Sequence, residues 1–130
     1  MVASWVAQAA FEPLAVTVAV AKDRAIESLL RVGDAFVLNV LSEDGAPATM
    51  KHFLQRFPPG ADRFAGVDWA PAAGCGAPVL AAAVAHCECA VVSRLETPDH
   101  YVVLAHVVEG GVADPNALTS VHRRKVATYY

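Results

Sequence analysis

The sequence predicts a small, mostly β domain: antiparallel strands closing toward a barrel, with two or three short helices at its ends. Three observations carry this. Val-rich apolar runs of strand length alternate with clusters of turn residues. Two of the runs are long and face each other across the turn Thr97-Pro98-Asp99-His100. A length of 130 residues suits one domain with one core, which buries about two thirds of the unfolded chain's surface.

The elements follow in chain order. Leu14 to Ala21 (LAVTVAVA) is short, apolar and rich in Val, hence a buried strand. It stops at Lys22-Asp23-Arg24, where Asp23 is suited to cap a following helix. Ile26, Leu29 and Leu30 give that helix an apolar side, and Gly33 stops it. Ala35 to Leu41 (AFVLNVL) is the next strand, closed by Ser42-Glu43-Asp44-Gly45. A second helix is predicted from Pro47, where a missing N–H does no harm. Met50, Phe53, Leu54 and Phe57 form its apolar stripe, and Pro58-Pro59-Gly60 ends it. Residues 62–67 read as a loop or short helix, and Trp69 to Pro78 as a Pro/Gly/Ala-rich surface loop. Ala83 to Thr97 and Tyr101 to Glu109 are the two long strands, the second ending at Gly110-Gly111. Strands of this length are typical of barrel walls, where bulges let them bend. No internal repeat breaks this single-domain reading.

Composition excludes several classes. Apolar residues make up 55% of the chain and charged residues 18%, so a partner subunit or cofactor is expected to cover part of the apolar surface. The net charge is −3, and the basic stretch His122-Arg123-Arg124-Lys125 is too short to be a nucleic-acid footprint. Lys22, Asp23 and Arg24 interrupt the best candidate for a membrane span. The start, Met1-Val2-Ala3-Ser4-Trp5, lacks the basic region of a secretory signal, so the chain reads as soluble and cytoplasmic. Cys75, Cys87 and Cys89 make no disulfide framework. Adjacent strand positions point to opposite faces, so His86 cannot easily join Cys87 and Cys89 on one metal ion. Buried structural thiols are the better reading, and no metal is expected.

Three groups of residues could carry chemistry. Lys22-Asp23-Arg24 lies where a strand meets a helix, and a helix N-terminus with two added cations can hold a phosphate. The same residues read equally as a solvated turn that Asp23 caps, and Asp23 would place a negative charge beside any anion. Ser4 could offer a hydroxyl or backbone N–H to a polar ring edge, or simply be a strand hydroxyl, while Trp5 could be a core aromatic. His100, next to Asp99 at the hairpin corner, is either a turn residue or a group that orients a substrate. His52, His86, His106 and His122 show no ligand spacing. No G-x-S-x-G, Walker or G-x-G-x-x-G motif occurs.

The stretch MVASWVAQAAFEPLAVTVAVAKDRAIESLLRVGDAFVLNVL resembles the flavin reductase-like FMN-binding family, and most closely the C-terminal module of cyanobacterial flavodiiron proteins. MKHFLQRFPPGADRFAGV, ECAVVSRLETPDHYVV and the terminal VHRRKV agree with that module in order. The resemblance implies an FMN-binding split β-barrel, Greek-key-like, usually a homodimer with flavin near the subunit interface. It implies that Val2, Ala3, Ser4, Trp5 and Val6 line the flavin ring and that Ala21, Lys22, Asp23 and Arg24 lie by its phosphate. His100, with Asp99, falls on the nicotinamide side as the candidate catalytic residue. The implied cofactor is FMN, with FAD as the alternative, and the implied substrate is NADH or NADPH. The implied activity is that of an NAD(P)H:flavin oxidoreductase. It would be the electron-entry module of a larger chain whose flavodoxin-like and diiron domains reduce oxygen or nitric oxide. A flavin-binding electron relay or dimerisation module without reductase activity is the alternative. The family carries a strand and turn ahead of the position matched by Met1, so residues 1–130 read as a domain lacking that strand. Ala127-Thr128-Tyr129-Tyr130 departs from the family's glycine–asparagine–histidine–tyrosine ending.

Overall fold

The computed structural model describes residues 1–121, so the basic stretch from His122 and the ending at Tyr130 lie outside the described residues. Strands β1 (Val6–Phe11), β2 (Leu14–Ala21), β3 (Ala35–Leu41), β6 (Ala83–Glu96) and β7 (His100–Val112) build one antiparallel sheet in the order β1-β2-β7-β6-β3. The chain leaves β2 and returns to the sheet at β3, on the far side of β7 and β6, a Greek-key-like path. A second sheet is the hairpin of β4 (Trp69–Pro71) and β5 (Pro78–Leu80). The mostly β, antiparallel architecture is the one the sequence predicts. No helix among the described residues is long and apolar enough to cross a membrane.

Strand β2 spans the predicted residues, and its alternation shows why. Val18 and Val20 point inward opposite Val103 and Tyr101 of β7. Together with Leu30 and Val91 they form the core, against which Ala3, Ile26, Phe36, Leu38 and Tyr101 pack. The period of two along β7 continues at Ala105, also fully buried. The long pair β6–β7 bends as expected: register shifts leave Val92 on β6 and Val108 on β7 without a cross-strand partner.

The structure corrects four expectations. The segment after Lys22-Asp23-Arg24 is a single 3₁₀ helix, Ala25–Leu29, whose flanking residue is Arg24 and which has no side-chain cap from Asp23. A tighter helix of five residues puts Leu30 in the core but leaves Leu29 in solvent. It ends at Leu30, three residues ahead of the expected stop, and Gly33 lies in the following turn at φ +93°. Helix α1 runs Ala46–Leu54, with Pro47 in its first turn, and ends before Phe57 because Gln55 is extended. Leu54 is therefore exposed, while Phe53, Phe57, Phe64 and Trp69 stack edge-on around His52 and one another. Residues 69–80 form the β4–β5 hairpin rather than a loop. Strand β7 continues through Gly110 and Gly111 to Val112, still paired with β6, and a Cβ at Gly110 would lie 2.7 Å from the His86 carbonyl oxygen and one at Gly111 2.9 Å from the His86 ring.

Two side chains tie that hairpin to the main sheet. Asn39 on β3 donates through Nδ2 to the Pro78 carbonyl at 3.0 Å and accepts the Leu80 N–H at 2.8 Å. Glu88 on β6, only 1% exposed, accepts the N–H of Cys75 at 2.8 Å and that of Gly74 at 3.1 Å. Burial alone would raise the Glu88 carboxyl, but the donors from Cys75 and Gly74, with His86 nearby, outweigh it and hold it below its ordinary value. All three cysteines are free thiols; Cys89 is fully buried, and burial, with Cys87 and Cys75 adding to it, pushes its thiol up to about 12.

Two stability measurements follow. Val103→Ala should cost about 1–3 kcal/mol in denaturant unfolding, since two buried methyl groups vanish from the centre of the sheet. Glu88→Gln should lower the melting temperature at neutral pH. Because the native Glu88 carboxyl titrates below its ordinary 4.5, its contribution is complete above that pH and fades as pH falls through the lower native value. The gap between variant and parent should therefore close on acidification; a gap that widens would contradict the assignment.

Candidate functional site

The end of β2 is fixed by backbone. Ala21 pairs with His100, the Lys22 N–H donates to the Asp99 carbonyl at 3.0 Å, and the Arg24 N–H donates to the Ala21 carbonyl at 3.1 Å. The turn of residues 21–24 and the corner of residues 97–100 are thus one unit. With only a short 3₁₀ helix behind the turn, the helix macrodipole adds little there. What the turn offers an anion is local: its cations and the Asp23 N–H, since the Lys22 and Arg24 amides are taken by the Asp99 and Ala21 carbonyls.

Those cations are already partnered. Lys22 Nζ lies 2.6 Å from Glu96 Oε1 and 5.2 Å from the centre of the Tyr101 ring. The Glu96 bond is the main reason the Lys22 ammonium titrates above its ordinary value. Arg24 Nε lies 3.4 Å from Asp23 Oδ1, both side chains being largely in water. Arg94, on the same face of β6 as Glu96, stacks on Tyr101 at 3.9 Å and forms an ion pair with Glu27 of the 3₁₀ helix. Sequence reasoning missed Glu96, Arg94, Tyr101 and Glu27. The period of two before the turn at Thr97 was the available signal for Arg94 and Glu96, because it sets them on one side beside the start of β7.

The corner carries the aromatic half. Thr97 Oγ1 donates to the His100 carbonyl at 2.9 Å and accepts the His100 N–H at 3.0 Å, closing the turn. His100 Nδ1 sits 2.9 Å from Asp99 Oδ1, and the hydrogen bond holds the Asp99 carboxyl below its ordinary value. With Nδ1 as donor, Nε2 is the acceptor nitrogen of the neutral ring. The His100 ring leans on Trp5, with ring centres 5.1 Å apart and planes tilted by 36°. Trp5 is anchored through its carbonyl, which accepts the Ala19 N–H at 3.0 Å. Val2 and Ala3 are half-buried, Ala3 against the core; Ser4, Trp5 and Val6 are exposed along the start of the edge strand β1.

Three stretches far apart in sequence therefore meet: Trp5, Ala21–Lys22, and Asp99–His100. Asp23 and Arg24 stand beside them in solvent. A flat aromatic surface next to a cation-bearing turn suits a planar ring with an anionic tail. A cavity of about 400 Å³ elsewhere, lined by Ser42, Glu43, Asp44 and Asp114, is acidic and uses none of these residues.

The flavin reductase like domain matches residues 1–129. The chain belongs to that family. It is 58% identical over its whole length to diflavin flavoprotein A 1 of Synechocystis sp., of which it spans 22%. Among solved structures, the NADH:FAD oxidoreductase of Streptomyces globisporus C-1027 superposes with a TM-score of 0.79 at 32% identity, over 88% of this chain and 67% of that one. The flavin reductase component of a bacterial two-component tryptophan halogenase gives 0.76 at 25% identity, over 93% and 81%. The sheet is thus that of the flavin reductase split barrel, and the family is one of flavin-handling oxidoreductases.

The Arg94 link can be tested directly. Arg94→Met keeps the stem but loses the cation over Tyr101 and leaves Glu27 unpaired in a partly buried place. It should cost about 1–2 kcal/mol in urea unfolding. An unchanged midpoint would show that the 3₁₀ helix is held by its apolar contacts alone.

Proposed function

We propose that this domain binds FMN and accepts reducing equivalents from NADH or NADPH. In this reading it is the electron-entry module of a flavodiiron protein that reduces oxygen or nitric oxide. The observation that carries it is the meeting of Trp5, Lys22 and His100 at one surface. The residues fit the group. Val2, Ala3, Ser4, Trp5 and Val6 supply an apolar edge with a hydroxyl for the flavin ring, and the turn Ala21–Arg24 brings the Lys22 and Arg24 side chains and the Asp23 N–H to its phosphate, the Lys22 and Arg24 N–H groups being bonded within the turn. The bound flavin supplies the hydride-accepting centre.

The protein's own part is positioning. Lys22 and Arg24 neutralise the tail, and the wall of β1 keeps water from one side of the ring. Asp99 fixes His100 by accepting its Nδ1–H, which leaves Nε2 to accept a hydrogen bond from the nicotinamide amide. No side chain here is asked to move a proton, which agrees with a corner built for orientation. The Streptomyces globisporus enzyme, also solved in complex with NAD and FAD fragments, supports a nicotinamide–flavin pairing on this fold, and FAD is the alternative cofactor.

The diflavin flavoprotein relatives are more than four times longer than this chain, which supports flavodoxin-like and diiron domains as partners in a larger cytoplasmic protein. Phe11 is 85% exposed at the tip of the β1–β2 hairpin, with Leu14 exposed opposite it and Val6 exposed at the other end of β1. That apolar edge supports a homodimer in which a second copy covers β1 and completes the ring's surroundings.

The test is a visible spectrum of protein reconstituted with FMN, read before and after NADPH or NADH under anaerobic conditions. Bound flavin that bleaches on addition is expected. Flavin that binds and stays oxidised would remove the reductase activity while leaving a binding module.

A further inference from the structure

We infer that Glu96 sets how tightly the turn Ala21–Arg24 holds an anionic ligand tail, by competing with that tail for the Lys22 ammonium. This rests on the phosphate placement proposed above and adds a residue that controls it. Glu96 is the last residue of β6, opposite Tyr101, and reaches Lys22 only because β2, β7 and β6 lie side by side.

Several features separate this contact from a fold-stabilising one. The Glu96 side chain is 66% exposed and that of Lys22 31%, so the pair adds little to folding. The turn is already held by backbone, through Lys22 to Asp99 and Arg24 to Ala21. What the pair does set is charge. An ammonium carries three donors, and a carboxylate at 2.6 Å takes one of them and offsets the positive field that a phosphate dianion would feel.

The other two cations nearby differ. Arg24 meets only Asp23, its own chain neighbour, at 3.4 Å in open solvent. Arg94 is engaged by Glu27 and by the same Tyr101 ring that Lys22 approaches. Among the described residues, Glu96 is the carboxylate that another strand brings onto the turn's own cation. Its carboxyl is held below the ordinary value first by the hydrogen bond from Lys22 and by its charge, with Arg94 adding to the pull, so it is ionised at neutral pH. Arg94, two positions back on the same face, is also a second cation for Glu96 when Lys22 turns toward a ligand.

The experiment compares FMN with riboflavin, which has the same ring and no phosphate, by flavin fluorescence quenching at fixed ionic strength. Glu96→Gln should tighten FMN binding about three- to tenfold and leave riboflavin unchanged, with the gain shrinking as salt is raised. Lys22→Met should shrink the preference for FMN to what Arg24 and the turn's backbone supply, and an unchanged preference would overturn the inference. Melting curves of both variants confirm that they fold, and Glu96→Ala repeats the test without the amide's hydrogen bond. If the parent protein shows no preference for FMN over riboflavin, the phosphate placement fails and this inference with it. If Lys22→Met shrinks the preference but Glu96→Gln shifts FMN no more than riboflavin, the placement stands and the role of Glu96 is overturned.

Discussion

The register of β2 on β7 is the constraint on which the rest of this domain depends. It sets Val18 opposite Val103 and Val20 opposite Tyr101, and it ends by setting Ala21 opposite His100. Side chains alternate along a strand, so a slip of one residue would turn Val18 and Val20 outward. The same slip would break the Lys22–Asp99 backbone bond and carry His100 away from Trp5. Core and site are therefore specified by one set of pairings. The apolar face that cannot be exposed holds the corner that must be.

Electrostatics at the open end of the sheet is local and balanced. Lys22 meets Glu96, Arg24 meets Asp23, and Arg94 meets Glu27, three cations against three carboxylates. A surface neutralised in this way gives weak long-range attraction to an anion, the more so in a chain of net charge −3. Recognition there has to come from contact: the Asp23 amide in the turn, an ammonium that changes partner, and rings that stack. The buried end of β6 works differently. Glu88, surrounded by the N–H groups of Gly74 and Cys75, stays ionised because it has donors that water cannot displace. One strand carries both an exchangeable carboxylate and a fixed one.

The strands that alternate or run apolar, β2 and β3, and the long pair β6–β7 were legible because burial imposes a period that the residues display. The turn at Thr97–Asp99 was legible because Pro and Asp have turn chemistry of their own. Strand β1 was not, because VAQAAF neither alternates clearly nor looks buried; it is a strand through pairing with β2, and most of its residues are exposed. The β4–β5 hairpin hid behind Pro71 and Pro78, which sit at its ends where no ladder hydrogen bond is needed from them. Its anchors, Asn39 and Glu88, are polar residues inside apolar runs, a signal that only structure connects to partners 39 and 41 residues along the chain for Asn39 and 13 and 14 residues back for Glu88. In the site, Lys22, Trp5 and His100 could be named from sequence, whereas Glu96, Arg94 and Tyr101 join them only through the sheet order.

The residues that face the proposed ring lead into the least supported strand, β1. Among the described residues β1 pairs on one side only, and its side chains contribute little to the core beyond the contact that Ala3 makes just ahead of it. Local stability follows buried apolar contact, so β1 lies at the low end of the range within this fold. The turn at Lys22 and the corner at His100 sit instead on β2 and β7, the two central strands of the pairing that defines the core. The site thus joins a rigid half, which holds charge and imidazole in place, to a yielding half, which supplies apolar surface. Whatever covers β1, whether a ring stacked on Trp5 or a second copy against Phe11, buries surface that the isolated sheet leaves in water, and so links binding to the order of that strand.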